Sequence, residues 1–157
     1  MTEMRILTVR QPWAWAIIHG GKNVENRSRN IAGEYRGPVA IHAGLQFDFD
    51  GHRESKHLFP ANPYAHWRRS DWEFGAIIGV VDLVDVHKAW EAECWRDSIA
   101  GSITTCSPWA VGEGYHLVLA NPRPLSEPIP YKGALGLRRL PDDVVAQVLA
   151  ATPEGTP

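Results

Sequence analysis

The sequence predicts a mainly β fold with peripheral helices, of the α+β class: a small closed or nearly closed β-barrel with helices packed on its ends. Three observations carry this. Five or six short runs rich in β-branched and apolar residues recur along the chain. Pro and Gly punctuate them at nearly every boundary, and the stretches with helical spacing are few and short. At 157 residues, 44% apolar and 22% charged, the chain has the size and composition of one compact domain. That domain is expected to span residues 1–151.

RILTVR (Arg5–Arg10) reads as a first strand. QPWAWAIIHGG then reads as a short helix, with Pro12 at its first position, Trp13 and Ile17 one turn apart, and Gly20 or Gly21 as its left-handed C-terminal cap. KNVENRS extends away from those glycines, and GPVAIHAG (Gly37–Gly44) is a further strand. Residues 46–74 form an irregular connection with one or two short helices. AIIGVVDLVDV (Ala76–Val86) is the strongest strand signal and is read as central, because a near-continuous β-branched run implies burial on both faces. HKAWEAECW (His87–Trp95) reads as a helical insertion, and YHLVLANPRPL with PIPYKGALGLRRL as two or three more strands. PDDVVAQVLAA (141–151) is a terminal helix, with Asp142 and Asp143 at its positive dipole end, and TPEGTP (152–157) a flexible tail.

Composition narrows the function. A net charge of −2 gives no global basic field, so phosphate binding has to come from local patches: Lys22, Arg27 and Arg29, or Arg68 and Arg69. No GxSxG, P-loop or dinucleotide fingerprint is present. MTEMR opens without a leader pattern and no apolar run is long enough for a membrane span, so a cytoplasmic protein is expected. Cys94 and Cys106 stand twelve positions apart with no CxxC, and His52, His57 and His66 lack ligand spacing; no metal and no cofactor are expected. His42 and His116 fall on predicted strands and read as core histidines.

The chemistry concentrates in GGKNVENR (Gly20–Arg27). In an extended chain Glu25, Arg27 and Arg29 share one face, and Lys22, Val24 and Asn26 the other. Lys22 meets Glu25 only if it still belongs to the glycine turn, which can re-aim its side chain. There Glu25 can hold Lys22 or Arg27 while the cations face a phosphate or a base edge; the alternative is a solvated hairpin rim. Of the seven tryptophans, Trp15, Trp72, Trp90 and Trp95 read as packing, whereas Trp13, beside Gln11-Pro12, and Trp109, in SPWAVGEGYH, stand where a base-stacking platform would.

Together LTVRQPWAWAIIHGGKNVENRS, YRGPVAIHAG, IIGVVDLVDV, SPWAVGEGYHLVLANPRPL and PIPYKGALGL resemble the ASCH (activating signal cointegrator homology) family over most of residues 5–140. The most specific part is G-x-K-x-x-E-x-R, met by Gly20, Lys22, Glu25 and Arg27. The resemblance implies a PUA-like β-barrel with a cleft lined by that motif, and ligand contacts from Gln11, Trp13, Lys22, Glu25, Arg27, Arg29 and Trp109. It implies as partner a single-stranded RNA or DNA, or a nucleotide or nucleoside. Family members also include ribonucleases and amidohydrolases of N4-acylated cytidine, which would make Lys22 and Glu25 catalytic, and modules of transcription or RNA-processing factors, where the domain serves protein interaction. Two positions depart from the pattern: Glu25 stands where the amidohydrolases carry a hydroxyl residue, and Arg29 where many members carry tryptophan. For a binding module, Lys22→Ala is expected to cost affinity and Glu25→Gln to be tolerated.

Overall fold

The computed structural model describes residues 3–59, 68–91, 94, 96–97, 103–104 and 106–154. Trp95, His66, part of the 46–74 connection and the end of the tail lie outside the described residues. Within them the elements run β1 (Arg5–Gln11), α1 (Trp13–His19), β2 (Val24–Arg27), β3 (Gly37–Phe47), α2 (Phe49–Glu54), β4 (Ala76–Lys88), β5 (Arg96–Asp97), β6 (Ile103–Thr104), β7 (Tyr115–Pro130), β8 (Leu137–Arg139) and α3 (Asp142–Ala151). Six strands form one sheet in the order β2-β7-β4-β3-β1-β8; β5 and β6 pair separately. Neighbours are antiparallel except β1 and β3, which run parallel because α1 and β2 intervene between them.

The near-continuous apolar run of β4 is buried on both faces from Ala76 to Val81, as its composition predicts, and emerges at Val84, which is 50% exposed. Ile78, Val81 and Leu83 join Leu7, Ile41, Leu117 and the α1 residues Ile17 and Ile18 in one core. Ile77 and Val80 join Ile6, Leu140 and the α3 residues Val144, Val145 and Val148 in a second core. The layers are therefore α1, sheet, α3, and β4 is an interior strand of the sheet. Gly79 makes the close approach of α1 possible: a Cβ there would stand 2.5 Å from Ile18 Cδ1 and 2.8 Å from the Arg123 carbonyl oxygen.

Three expectations are corrected. The sheet is not closed into a barrel, because β2 pairs only with β7 and β8 covers only Arg5–Leu7 of β1, which leaves a seam between the two ends. The C-terminal strands are longer than the prolines suggest. β7 runs through Pro122, Pro124, Pro128 and Pro130 because β2 pairs only with residues 115–118, and beyond them that edge needs no N–H. Finally, HKAWEAECW is not a helix at its start: His87 and Lys88 end β4, and Trp90, read as packing, is 56% exposed.

Candidate functional site

The site is built on the seam. Gly21, at φ +76°, turns the chain out of α1 as the left-handed residue expected there. Lys22 is still in that turn and not in β2, so strand parity does not govern its direction. Its Nζ donates to the Val24 carbonyl at 2.6 Å and to Glu25 Oε2 at 2.8 Å, and lies 5.9 Å from the centre of the Trp13 ring. Both partners of this ion pair are buried, with side chains 4% and 10% exposed. Glu25 Oε1 also lies 3.2 Å from Arg27 Nε. That N–H is buried and makes no directed hydrogen bond, so the contact is coulombic. Arg27 Nη2 in turn donates to the Thr8 carbonyl at 3.1 Å, bridging β2 to β1 by a side chain where no strand ladder does.

Two walls rise from this base. On one side Trp13 Nε1 donates to Asp48 Oδ2 at 3.0 Å, and Asp48 caps α2 by accepting from Gly51 N at 2.9 Å. On the other, Asn26 donates to the Trp109 carbonyl and accepts from Val111 N, each at 2.9 Å, so that a side chain ties the 107–111 loop to β2. Trp109 packs edge-on against Phe59, with ring centres 5.5 Å apart.

A cavity of about 300 Å³ lies between the walls, lined by Trp13, Lys22, Glu25, Asp48, Glu54 and Trp109 among others. It holds one ammonium, already paired, and three carboxylates, and is rich in hydrogen-bond acceptors. A second cavity of about 760 Å³ follows the seam past Thr8, Arg10, Arg27, His42 and Lys132, and shares Trp13, Glu25 and Asp48 with the first.

The model of the ASCH domain family matches residues 7–128. This chain belongs to the ASCH family. Its fold, of the PUA-like type, is similar to crystal structures of the ASCH protein of Zymomonas mobilis. A tyrosine-to-phenylalanine mutant of that protein superposes with a TM-score of 0.56 at 16% identity, covering 97% of this chain and 100% of that one. The unmutated protein gives 0.53 at 14%, covering 96% of each chain. A serine-to-alanine mutant gives 0.52 at 15%, again covering 96% of each.

In this ASCH domain the motif residues Lys22, Glu25 and Arg27 meet Trp13 and Trp109 at the cavities, whereas two other candidates sit apart. Arg29 lies beyond β2 on the exposed surface and lines neither cavity. Gln11 is buried, its amide donating to the Glu73 carbonyl and accepting from Trp15 N, each at 2.9 Å; it braces α1 and touches neither cavity. Asp82 and Asp85 also stay outside, paired with Arg123 and His87. Sequence reasoning missed Asp48, Glu54, Arg10 and Lys132. Asp48 alone had a local signal, as an acidic residue three positions before Gly51 at a helix start. The spacing argument against a four-ligand set also fails in three dimensions: His87, Cys94, Cys106 and His116 converge. Among the described residues no helix is long and apolar enough to cross a membrane.

His42, at the floor of the seam, sets an acid limit. Its Nε2 donates to the Tyr131 carbonyl at 2.7 Å, and burial pulls the imidazole below its ordinary value of 6.5, the Tyr131 bond opposing. His19 and His52 are lowered in the same way by burial. A histidine kept neutral by the fold makes the unfolded chain the stronger proton binder below about pH 6.5. Its stabilising effect is complete above that pH and lost as pH falls toward the folded value. The urea midpoint is therefore expected to drop from pH 7.5 to 5.5, and to drop less in His42→Gln; a midpoint that holds or rises contradicts this.

Proposed function

We infer that this ASCH domain binds single-stranded nucleic acid, RNA or DNA, or a nucleotide, taking one base into the inner cavity and laying the sugar-phosphate along the seam. The observation that carries this reading is the junction of two unlike chambers. An acceptor-rich cavity flanked by Trp13 and Trp109 opens into a channel that presents Arg10, Arg27 and Lys132. Phosphate does not suit the inner chamber, where Asp48 and Glu54 repel it and Lys22 is paired to Glu25. A base with an exocyclic amine does suit it, since the amine donates to a carboxylate while the ring stacks on tryptophan. Stacking is worth roughly 1–3 kcal/mol per base, so a mononucleotide binds modestly and further phosphates on the seam add affinity.

Titration with CMP, AMP, UMP and short oligonucleotides between about 50 and 200 mM salt tests this. Cytosine and adenine are expected to bind more tightly than uracil. Arg10→Ala and Lys132→Ala are each expected to weaken oligonucleotides of any sequence and to flatten the salt dependence by about one charge. Salt-independent binding, or indifference to the exocyclic amine, goes against the reading.

A hydrolase, either a ribonuclease or an amidohydrolase of N4-acylated cytidine using Lys22 and Glu25, has one observation in its favour: an ammonium and three carboxylates share a chamber. Binding is preferred because two of the three Lys22 N–H bonds engage Val24 and Glu25. That is the geometry of a fixed donor, whereas a nucleophile or base needs a free lone pair. Product formed by the purified chain and abolished by Lys22→Arg reverses the preference.

A further inference from the structure

Between the end of β4 at Lys88 and the start of β7 at Tyr115 none of the described residues belongs to the main sheet, and the β5–β6 pair has only two residues per strand. At the base of this excursion four side chains converge. His87 and His116 are direct partners in the β4–β7 ladder, and Cys94 and Cys106, on either side of the β5–β6 hairpin, reach the same point. One ligand atom from each lies within 4.8 Å of all the others.

The three distances that meet at His116 Nδ1 match edges of a zinc tetrahedron, and the other three are within 4.8 Å. His87 Nε2 and His116 Nδ1 are 3.3 Å apart, and His116 Nδ1 is 3.4 Å from Cys94 Sγ and 3.5 Å from Cys106 Sγ. Zinc bonds of about 2.3 Å to sulfur and 2.0–2.1 Å to nitrogen place two nitrogens about 3.3 Å apart and a nitrogen and a sulfur about 3.6 Å apart.

The outer nitrogens fix the tautomers. His116 Nε2 is 2.6 Å from the Val111 carbonyl, which only accepts, so the proton is on Nε2 and Nδ1 presents a lone pair. His87 Nδ1 is 3.1 Å from Asp85 Oδ2, so its proton is on Nδ1 and Nε2 presents a lone pair. Two lone pairs thus face each other at 3.3 Å with no ring proton between them. A cation satisfies both. A carboxylate and a carbonyl holding the far nitrogens of ligating histidines is the support such a cation needs.

We propose that His87, Cys94, Cys106 and His116 bind a structural zinc ion that pins the 89–114 excursion to the sheet. Two thiolates balance the dication, sulfur ligands select zinc over magnesium or calcium, and four protein ligands leave no open position for substrate. The excursion carries Ser107, Trp109 and Val111, which hydrogen-bond Asn23 and Asn26, so zinc also steadies one wall of the cavity. The proposal is independent of what the cavity binds.

The full chain purified from zinc-supplemented cells is expected to carry one zinc per molecule by elemental analysis. After chelation under reducing conditions, titration with Co²⁺ is expected to give the visible bands of tetrahedral cobalt with thiolate charge transfer, and added zinc to raise Tm. Cys94→Ser and Cys106→Ser should each weaken zinc on the order of 100-fold, and Asp85→Asn, a positioning change, on the order of tenfold. Because a cysteine variant can fail to fold, the cobalt titration of the unmodified chain carries the test by itself. The proposal is overturned by a reduced, folded chain that takes up neither metal with this signature, or by zinc binding that persists unchanged in the double serine variant.

Discussion

Glu25→Gln is expected to lower stability by about 3–5 kcal/mol, which for a chain of this size is a fall in Tm on the order of 10 °C. Glu25 is the single anion between two cations, one oxygen on Lys22 Nζ and the other against Arg27 Nε, and it is itself buried. An amide keeps the shape and one acceptor oxygen but removes the counter-charge of the Lys22 ammonium, whose side chain is 4% exposed. Removing one member of a buried pair costs more than the pair contributes, because the survivor keeps its desolvation penalty. Lys22→Met with Glu25→Leu removes the buried pair and is expected to recover part of the loss, Arg27 being left with the Thr8 carbonyl but without its anion. The tolerance expected of a binding module concerns affinity, a separate quantity from this loss of stability. Chemical denaturation checks the latter: a change under about 0.5 kcal/mol would mean that solvent screens the pair.

Trp13→Ala is expected to lower nucleotide affinity roughly 5- to 150-fold, the equivalent of 1–3 kcal/mol of stacking. Trp13 is the residue that joins the site together: its ring faces Lys22, its N–H holds Asp48, and it lines both cavities. Trp13→Phe separates the roles. Phenylalanine keeps a stacking face but withdraws the donor from Asp48, so most of the affinity should remain while the preference for an amino-bearing base weakens as that carboxylate loses its fixed position. Calorimetric titration of CMP and UMP against both variants checks this. Equal affinity in wild type and Trp13→Ala would remove the stacking platform from the reading.

The part of the site that is contiguous in the chain was legible before any coordinates. GGKNVENR places a turn, a buried-capable ion trio and a short extended segment within eight residues, and its behaviour follows from local rules: glycine permits the left-handed turn, and the turn frees Lys22 from strand parity. The acceptors that give the inner cavity its character were not legible. Asp48 caps α2 and Glu54 ends it, and they line one cavity with Lys22 only because β3, paired to β1, delivers the chain to that side of α1. Arg10 and Lys132 are ordinary surface cations until the seam brings them to one channel.

The sequence by itself determined most strands of the main sheet, the central place of β4 and the glycine turn before the motif, because hydrophobic period, β-branching and glycine are local properties of neighbouring residues. Whether the sheet closes was decided by tertiary structure. It depends on how far β2 and β8 pair, and a few hydrogen bonds at each edge leave no mark on the residue pattern. The meeting of His87, Cys94, Cys106 and His116 was decided in the same way. Cys94 and Cys106 stand twelve positions apart and match no ligand spacing, but the antiparallel register of β4 with β7 sets the two histidines face to face and the chain between them turns both thiols back. Register is a long-range property, selected by the burial of whole faces, and residue spacing along the chain does not encode it.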